Sequence, residues 1–134
     1  MGQLTNLEII RRTYEGPSSS NAQHLLAALS DFVEWTEAPG FPYGGTYIGV
    51  EAVMQNVFSR LATEWDDFKA SVHTYHEVNE KDIIIVEGVY SGTYKATGKA
   101  FQAEFVHIYH LHEGKIIKFK QYVDSHVVQQ AMTF

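Results

Sequence analysis

Phe105, His107 and Tyr109 stand at alternate positions, and successive side chains of a β-strand point to opposite faces, so two aromatic rings and one imidazole share a side. An imidazole in such a wall is a polar contact inside an apolar pocket, and a proton carrier where a carboxylate lies within reach. Asp124 is the candidate partner. Among Tyr122, Tyr109 and Trp35 it would be desolvated and its pKa raised toward neutrality, the range that proton transfer near pH 7 requires. The plainer reading makes Asp124 a cap on the following helix that orients His107 by a hydrogen bond. Glu37, at the start of a rim loop, is a third possible acid, whereas Glu87 and Glu104 are expected on the outer faces of their strands. A metal site is not expected: His110 and His112 share a strand face, but His107 points the other way, and His73 and His76 oppose each other. No glycine-rich phosphate loop and no nucleophile triad is present, so covalent catalysis is not expected either.

These residues need a sheet and helices to hold them. Leu7, Ile10 and Tyr14 give one apolar helical face over 6–14, ended by Gly16-Pro17, and Leu25, Leu26 and Leu29 give a second helix with Asn21 as its N-cap. Phe32 to Trp35 reads as a short strand. The loop that follows, Ala38 to Thr46, carries aromatic rings among two prolines and three glycines, as a pocket rim would. Val53, Val57, Phe58 and Leu61 mark a third helix over 50–64. Four strands follow, over 68–78, 83–94, 100–112 and 115–122, joined by short turns and so running antiparallel as a meander. A short helix over 125–132 ends the order. Helices first and sheet afterwards predict an α+β fold with the helices on one sheet face. Ile83 to Val86 is apolar on both sides, and Val106 and Ile108 lie on the reverse face of the Phe105 strand, so a homodimer packed sheet to sheet is expected. Strict alternation back from Tyr122 and Asp124 places Lys120 and Lys118 on the same side. Either a β-bulge switches the faces or those residues sit near the pocket mouth.

The totals agree with one site. At 134 residues the chain fits a single domain, 1–134, and 8 Tyr, 8 Phe and 2 Trp supply rings enough for an apolar cavity. Sixteen acids against ten bases leave a net charge of -6, which opposes binding to nucleic acid or an anionic membrane. The absence of cysteine removes disulfides and thiolates, and Met1 to Glu8 has no signal-peptide pattern, so a soluble, cytoplasmic protein is expected.

Trp35, the run Gly45-Thr-Tyr-Ile-Gly49 before the third helix, Glu87-Gly88, Gly92-Thr93, Phe105 to Tyr109, Gly114-Lys-Ile116 and Tyr122-Val-Asp124 fall in one order across nearly the whole chain. In that order the chain resembles the SnoaL-like proteins related to ketosteroid isomerase, within the NTF2-like, or cystatin-like, superfamily. The resemblance implies a cone of three helices packed in a curved mixed or antiparallel sheet. It also implies a pocket that hosts isomerases, aldol-type cyclases, epoxide hydrolases, dehydratases and plain binding domains on one fold. Tyr14 resembles the helix tyrosine that donates to an oxyanion in the isomerases, and His107 falls where their strand carboxyl sits. Trp35 or Thr36 stands where their proton-shuttling Asp would be, which speaks against steroid-type isomerisation, while Asp124 resembles the acidic residue of the cyclases. The resemblance thus implies a small, mostly apolar ring molecule held by Trp35, Phe41, Tyr43, Tyr47, Phe58, Tyr90, Phe105, Tyr109 and Tyr122, with no cofactor. Asp124, His107 and Tyr14 would serve a proton transfer of isomerase or aldol-cyclase type; the alternative is a non-catalytic ligand-binding or dimerisation domain.

Overall fold

In the computed structural model, which describes residues 4–134, helix α1 (Asn6–Arg11) opens the fold. Thr5 caps it by accepting from the Glu8 backbone while Glu8 accepts from the Thr5 backbone, which satisfies two otherwise unpaired amides. Ile10 is its buried residue, and the chain turns through Thr13 and Tyr14 to Gly16, whose φ of 129° suits a glycine. Helix α2 (Ser18–Ala28) starts directly after Pro17. Asn21 is therefore not its N-cap. It lies one turn inside, and its amide donates to the backbone oxygens of Tyr14 and Gly16, tying the turn to the helix.

Strand β1 (Leu29–Glu37) is longer than the sequence suggested and carries Val33, Trp35 and Glu37 on its buried side. Strand β2 (Gly45–Ile48), whose first two residues were expected at the end of the rim loop, pairs antiparallel with β1. The third helix consists of α3 (Val50–Val53), a π-helical turn (Met54–Phe58) and α4 (Ser59–Glu64). Strands β3 (Trp65–Val78), β4 (Ile83–Tyr94), β5 (Lys99–His112) and β6 (Lys115–Val123) form the antiparallel meander, and helix α5 (Ser125–Met132) follows. The six strands make one curved sheet in the order β2-β1-β6-β5-β4-β3, in which β1 runs parallel to β6. The fold is α+β.

Strand β5 places Phe101, Ala103, Phe105, His107, Tyr109 and Leu111 on its buried face, as alternation requires. Gly88 of β4 stands opposite Phe105, and a Cβ there would come within 2.3 Å of the Ser71 carbonyl and 2.7 Å of the Phe105 ring, so only glycine lets that ring lie flat on the sheet. In β6 the register against β5 shifts beside Leu111, so that Ile116 and Phe119 both face inward. Beyond the shift Phe119 and Gln121 are buried, and Lys118, Lys120 and Tyr122 are exposed on the outer face.

Candidate functional site

The concave side of the sheet, the turn between α1 and α2, and the π-helical turn enclose a cavity of about 690 Å³. A π-helical turn adds a residue to one helical turn, and here Val57 and Phe58, adjacent in sequence, both line the cavity. Trp35, Phe41, Phe58 and Phe119 form the inner apolar wall. Trp35 stacks on Phe119 at 3.7 Å between ring centres, and Phe58 meets Trp35 edge-on at 5.3 Å. The exposed Gly16, Pro17 and Ser18 on one side and Lys69 and Ser71 on the other form the mouth.

Inside this wall lies a connected set of polar side chains. His107 is 5% exposed and stacks on Phe105 at 4.2 Å. Its Nδ1 meets the Tyr14 hydroxyl at 2.5 Å, and its Nε2 is hydrogen-bonded to the Tyr90 hydroxyl. Tyr14 also meets the Tyr109 hydroxyl at 2.6 Å, and Thr13, which lines the same cavity, donates to the Ile10 backbone oxygen at 2.7 Å. At the other end Gln121 donates its amide to the Tyr90 hydroxyl at 2.8 Å, and its carbonyl oxygen accepts from the Ala38 backbone at 3.0 Å. Burial among rings pushes the His107 pKa down to about 3, so the imidazole is neutral at physiological pH. The same desolvation raises Tyr14, Tyr90 and Tyr109 above the ordinary tyrosine value, and these hydroxyls stay protonated.

Glu37 is the acid of the cavity. It is 3% exposed, and alternation along β1 places it on the same side as Trp35, whose indole N–H donates to its Oε2 at 3.0 Å. Burial pushes its pKa from the ordinary 4.5 up to about 8, against the lowering effect of the indole hydrogen bond. A carboxyl so placed holds its proton at pH 7 and releases it slightly above, which suits proton transfer.

The structure brings Tyr14, Trp35, Phe41, Phe58, Tyr90, His107 and Tyr109 of the expected set to the cavity. Phe105 stands behind His107 and Tyr90 as a backing ring. Tyr43 is buried outside the cavity, donating to Glu64 and accepting from Trp65, and Tyr47 donates to the Tyr43 backbone oxygen, so neither ring lines the cavity. Tyr122 is 48% exposed on the outer sheet face, with the Lys120 ammonium 5.1 Å from its ring. Asp124 is exposed as well and accepts from the Val127 backbone as the N-cap of α5, so the expected pairing of Asp124 with His107 does not form. The physical reason is register. Phe119 and Gln121 take the inner positions of β6, which sends Lys118, Lys120 and Tyr122 together to the outer face, where two ammonium groups keep their water. The register shift of β6 lies before Lys118 and does not separate the lysines from Tyr122, so neither alternative raised by the lysines holds. Gln121 and Thr13 are polar residues that sequence reasoning missed, and the lysines at 118 and 120 were the signal for Gln121.

An α+β cone with a ring-lined cavity and a buried acid inside it defines the class of protein. The profile of the SnoaL-like domain family matches residues 10–119, and the chain belongs to that family, within the NTF2-like superfamily. An NTF2-like protein from Burkholderia thailandensis is 35% identical, with a TM-score of 0.91 over 98% of this chain and 100% of that one. TerC co-crystallised with polyporic acid shares the fold at 21% identity, with a TM-score of 0.81 over 95% of this chain and 97% of its own. A Jannaschia chain assigned as a SnoaL-like polyketide cyclase shares it at 14% identity, with a TM-score of 0.80 over 97% and 96%. No curated protein matches the sequence. No helix among the described residues is long and apolar enough to cross a membrane.

Proposed function

We propose that this protein binds a small, mostly apolar ring compound bearing a carbonyl group and transfers a proton on the carbon beside that carbonyl, with Glu37 as the acid-base group. The observation that carries this reading is Glu37 itself, the one buried carboxyl among the described residues, set in the wall of a ring-lined cavity with a pKa of about 8. In its ionised form Glu37 takes the proton and leaves an enolate. The acid so formed returns the proton to the same or a conjugated carbon, so the carboxylate is regenerated and nothing is consumed. The aromatic wall excludes water from the reacting carbon. His107, neutral and bonded at both nitrogens, positions its neighbours and carries no charge. The protein acts as a homodimer through its outer sheet face, where Ile85 and Ile108 stand directly opposite each other on neighbouring strands.

The test uses 2-tetralone in deuterated buffer, followed by proton NMR. The protein should speed exchange of the protons beside the carbonyl, and Glu37→Gln should remove the acceleration while leaving tetralone binding within a fewfold. Binding without acceleration in the wild-type protein would instead support the non-catalytic binding reading.

A further inference from the structure

We propose that the cavity takes a second class of ligand, a hydrophobic tertiary or quaternary ammonium ion, which sets its cationic head among the rings beside Glu37 and holds that residue in its ionised form. Such a ligand lies outside the carbonyl reading above and shares with it only the buried carboxyl.

A carboxylate in an apolar wall needs a counter-charge, and the chain supplies none. Every ion pair among the described residues lies at the surface, and none of them includes Glu37. Its Oε2 accepts from the Trp35 indole, and Oε1 has no hydrogen-bond partner among the described residues. The carboxyl shares its space with the rings of Trp35, Phe41, Phe58, Tyr90 and Phe119. The groups that face this space from the other elements leave its charge unanswered. His107 of β5 is neutral, and Tyr14 of the α1–α2 turn, Tyr75 of β3, Tyr90 of β4 and Tyr109 of β5 all keep their protons. Gln121 of β6 and the π-helical turn bring no titratable group to the cavity. At the mouth Glu15, 3.5 Å from the Arg11 guanidinium, and the Lys69 ammonium are both exposed to water.

An alkylated ammonium head supplies what is missing. It is attracted to the negative faces of aromatic rings, and beside the carboxylate it completes a pair with no net charge, which a dry site tolerates where a lone ion is costly. A tertiary ammonium adds an N–H for Oε1; a quaternary one offers charge alone. The net charge of -6 on the chain draws cations toward the mouth. A neutral ring compound binds with Glu37 protonated, whereas an ammonium ion binds with Glu37 ionised, so the second event expels a proton to solvent. The carboxyl titrates at about 8 in the free protein. Affinity for the cation therefore climbs with pH below about 8 and levels off above it.

Calorimetry with phenyltrimethylammonium, and ligand-observed NMR with its uncharged isostere tert-butylbenzene, test the assignment. Titrations at pH 7 in two buffers of different protonation enthalpy should show about 0.9 of a proton released per ammonium ion bound. The affinity for that ion should rise about fifty-fold between pH 6 and pH 8. tert-Butylbenzene should bind equally at both pH values, and roughly tenfold more weakly than the ion at pH 8. Glu37→Gln should abolish the proton release and flatten the pH dependence. Equal affinities of the two compounds at pH 8, a cation affinity that does not change from pH 6 to pH 8, or no binding of the cation overturns the proposal, and these wild-type measurements decide even if the variant fails to fold. Tetralone exchange without cation binding leaves the carbonyl reading standing and removes this one; cation binding without tetralone exchange does the reverse.

Discussion

Replacing Glu37 by Gln removes one ionisation and keeps the side-chain shape, so the change should appear as a lost pH dependence of stability. In the folded protein the carboxyl titrates at about 8, against 4.5 ordinarily. The folded state therefore binds its proton more tightly than the unfolded one, and this group's contribution to stability is full below about pH 4.5 and falls as pH rises toward 8. Integrating at about 1.4 kcal/mol per pH unit, wild-type protein loses about 3.5 kcal/mol from this group between about pH 5 and pH 8. The Gln variant loses none of it. Its oxygen can still accept from Trp35, at a cost of about 1 kcal/mol for fitting the new amide N–H groups, so it should be slightly the less stable protein near pH 5 and the more stable one near pH 8. Urea unfolding of both proteins at several pH values isolates the effect, because every other titrating group is common to the two and cancels. Parallel stability curves would refute the assignment of a buried, proton-holding carboxyl at Glu37 and remove the basis of the proposed chemistry.

Three further outcomes are expected. The tetralone exchange rate should rise with pH and level off above about 8, because the ionised form of Glu37 is the base; a rate that falls over that range would mean that another group acts. Asp124→Ala should cost about 1 kcal/mol through loss of the α5 cap, whereas Asp124→Asn should cost almost nothing, and both should leave the exchange reaction unchanged; denaturant titration and the NMR assay read the two effects. Sedimentation at micromolar concentration should give about twice the 15.2 kDa of one chain, and a monomer there would remove the argument from the outer sheet face.

The parts of this fold that were legible in the sequence are those governed by a local period. The alternation of β5 gave the aromatic wall with His107 in its middle, and the short turns gave the meander. Pairing of β1 with β6 was not legible, since turn chemistry reports only on strands adjacent in sequence. Facing in β6 was ambiguous because both sets of alternate residues contain an aromatic ring, Phe119 on one side and Tyr122 on the other, and only the cost of burying Lys118 and Lys120 separates them. Glu37 shares the β1 face of Trp35 by simple alternation, yet reading β1 as ending at Trp35 left the acid in the loop. Two residues of strand length decided whether it counted as buried. The joining of His107 to Gln121 through Tyr90 depends on three strands in register and has no local signature.

The parallel pairing of β1 with β6 has a consequence for how the cavity comes into being. Leu29 must find Ile116 and Trp35 must find Phe119 across more than half the chain, so these are among the most distant contacts of the sheet and carry a high cost in loop closure. During synthesis β1 leaves the ribosome early and has only β2 as a neighbour until β6 follows. The Trp35–Phe119 stack and the Ala38–Gln121 hydrogen bond therefore belong to the last stage of assembly, and the binding site is completed only when the final strand closes it.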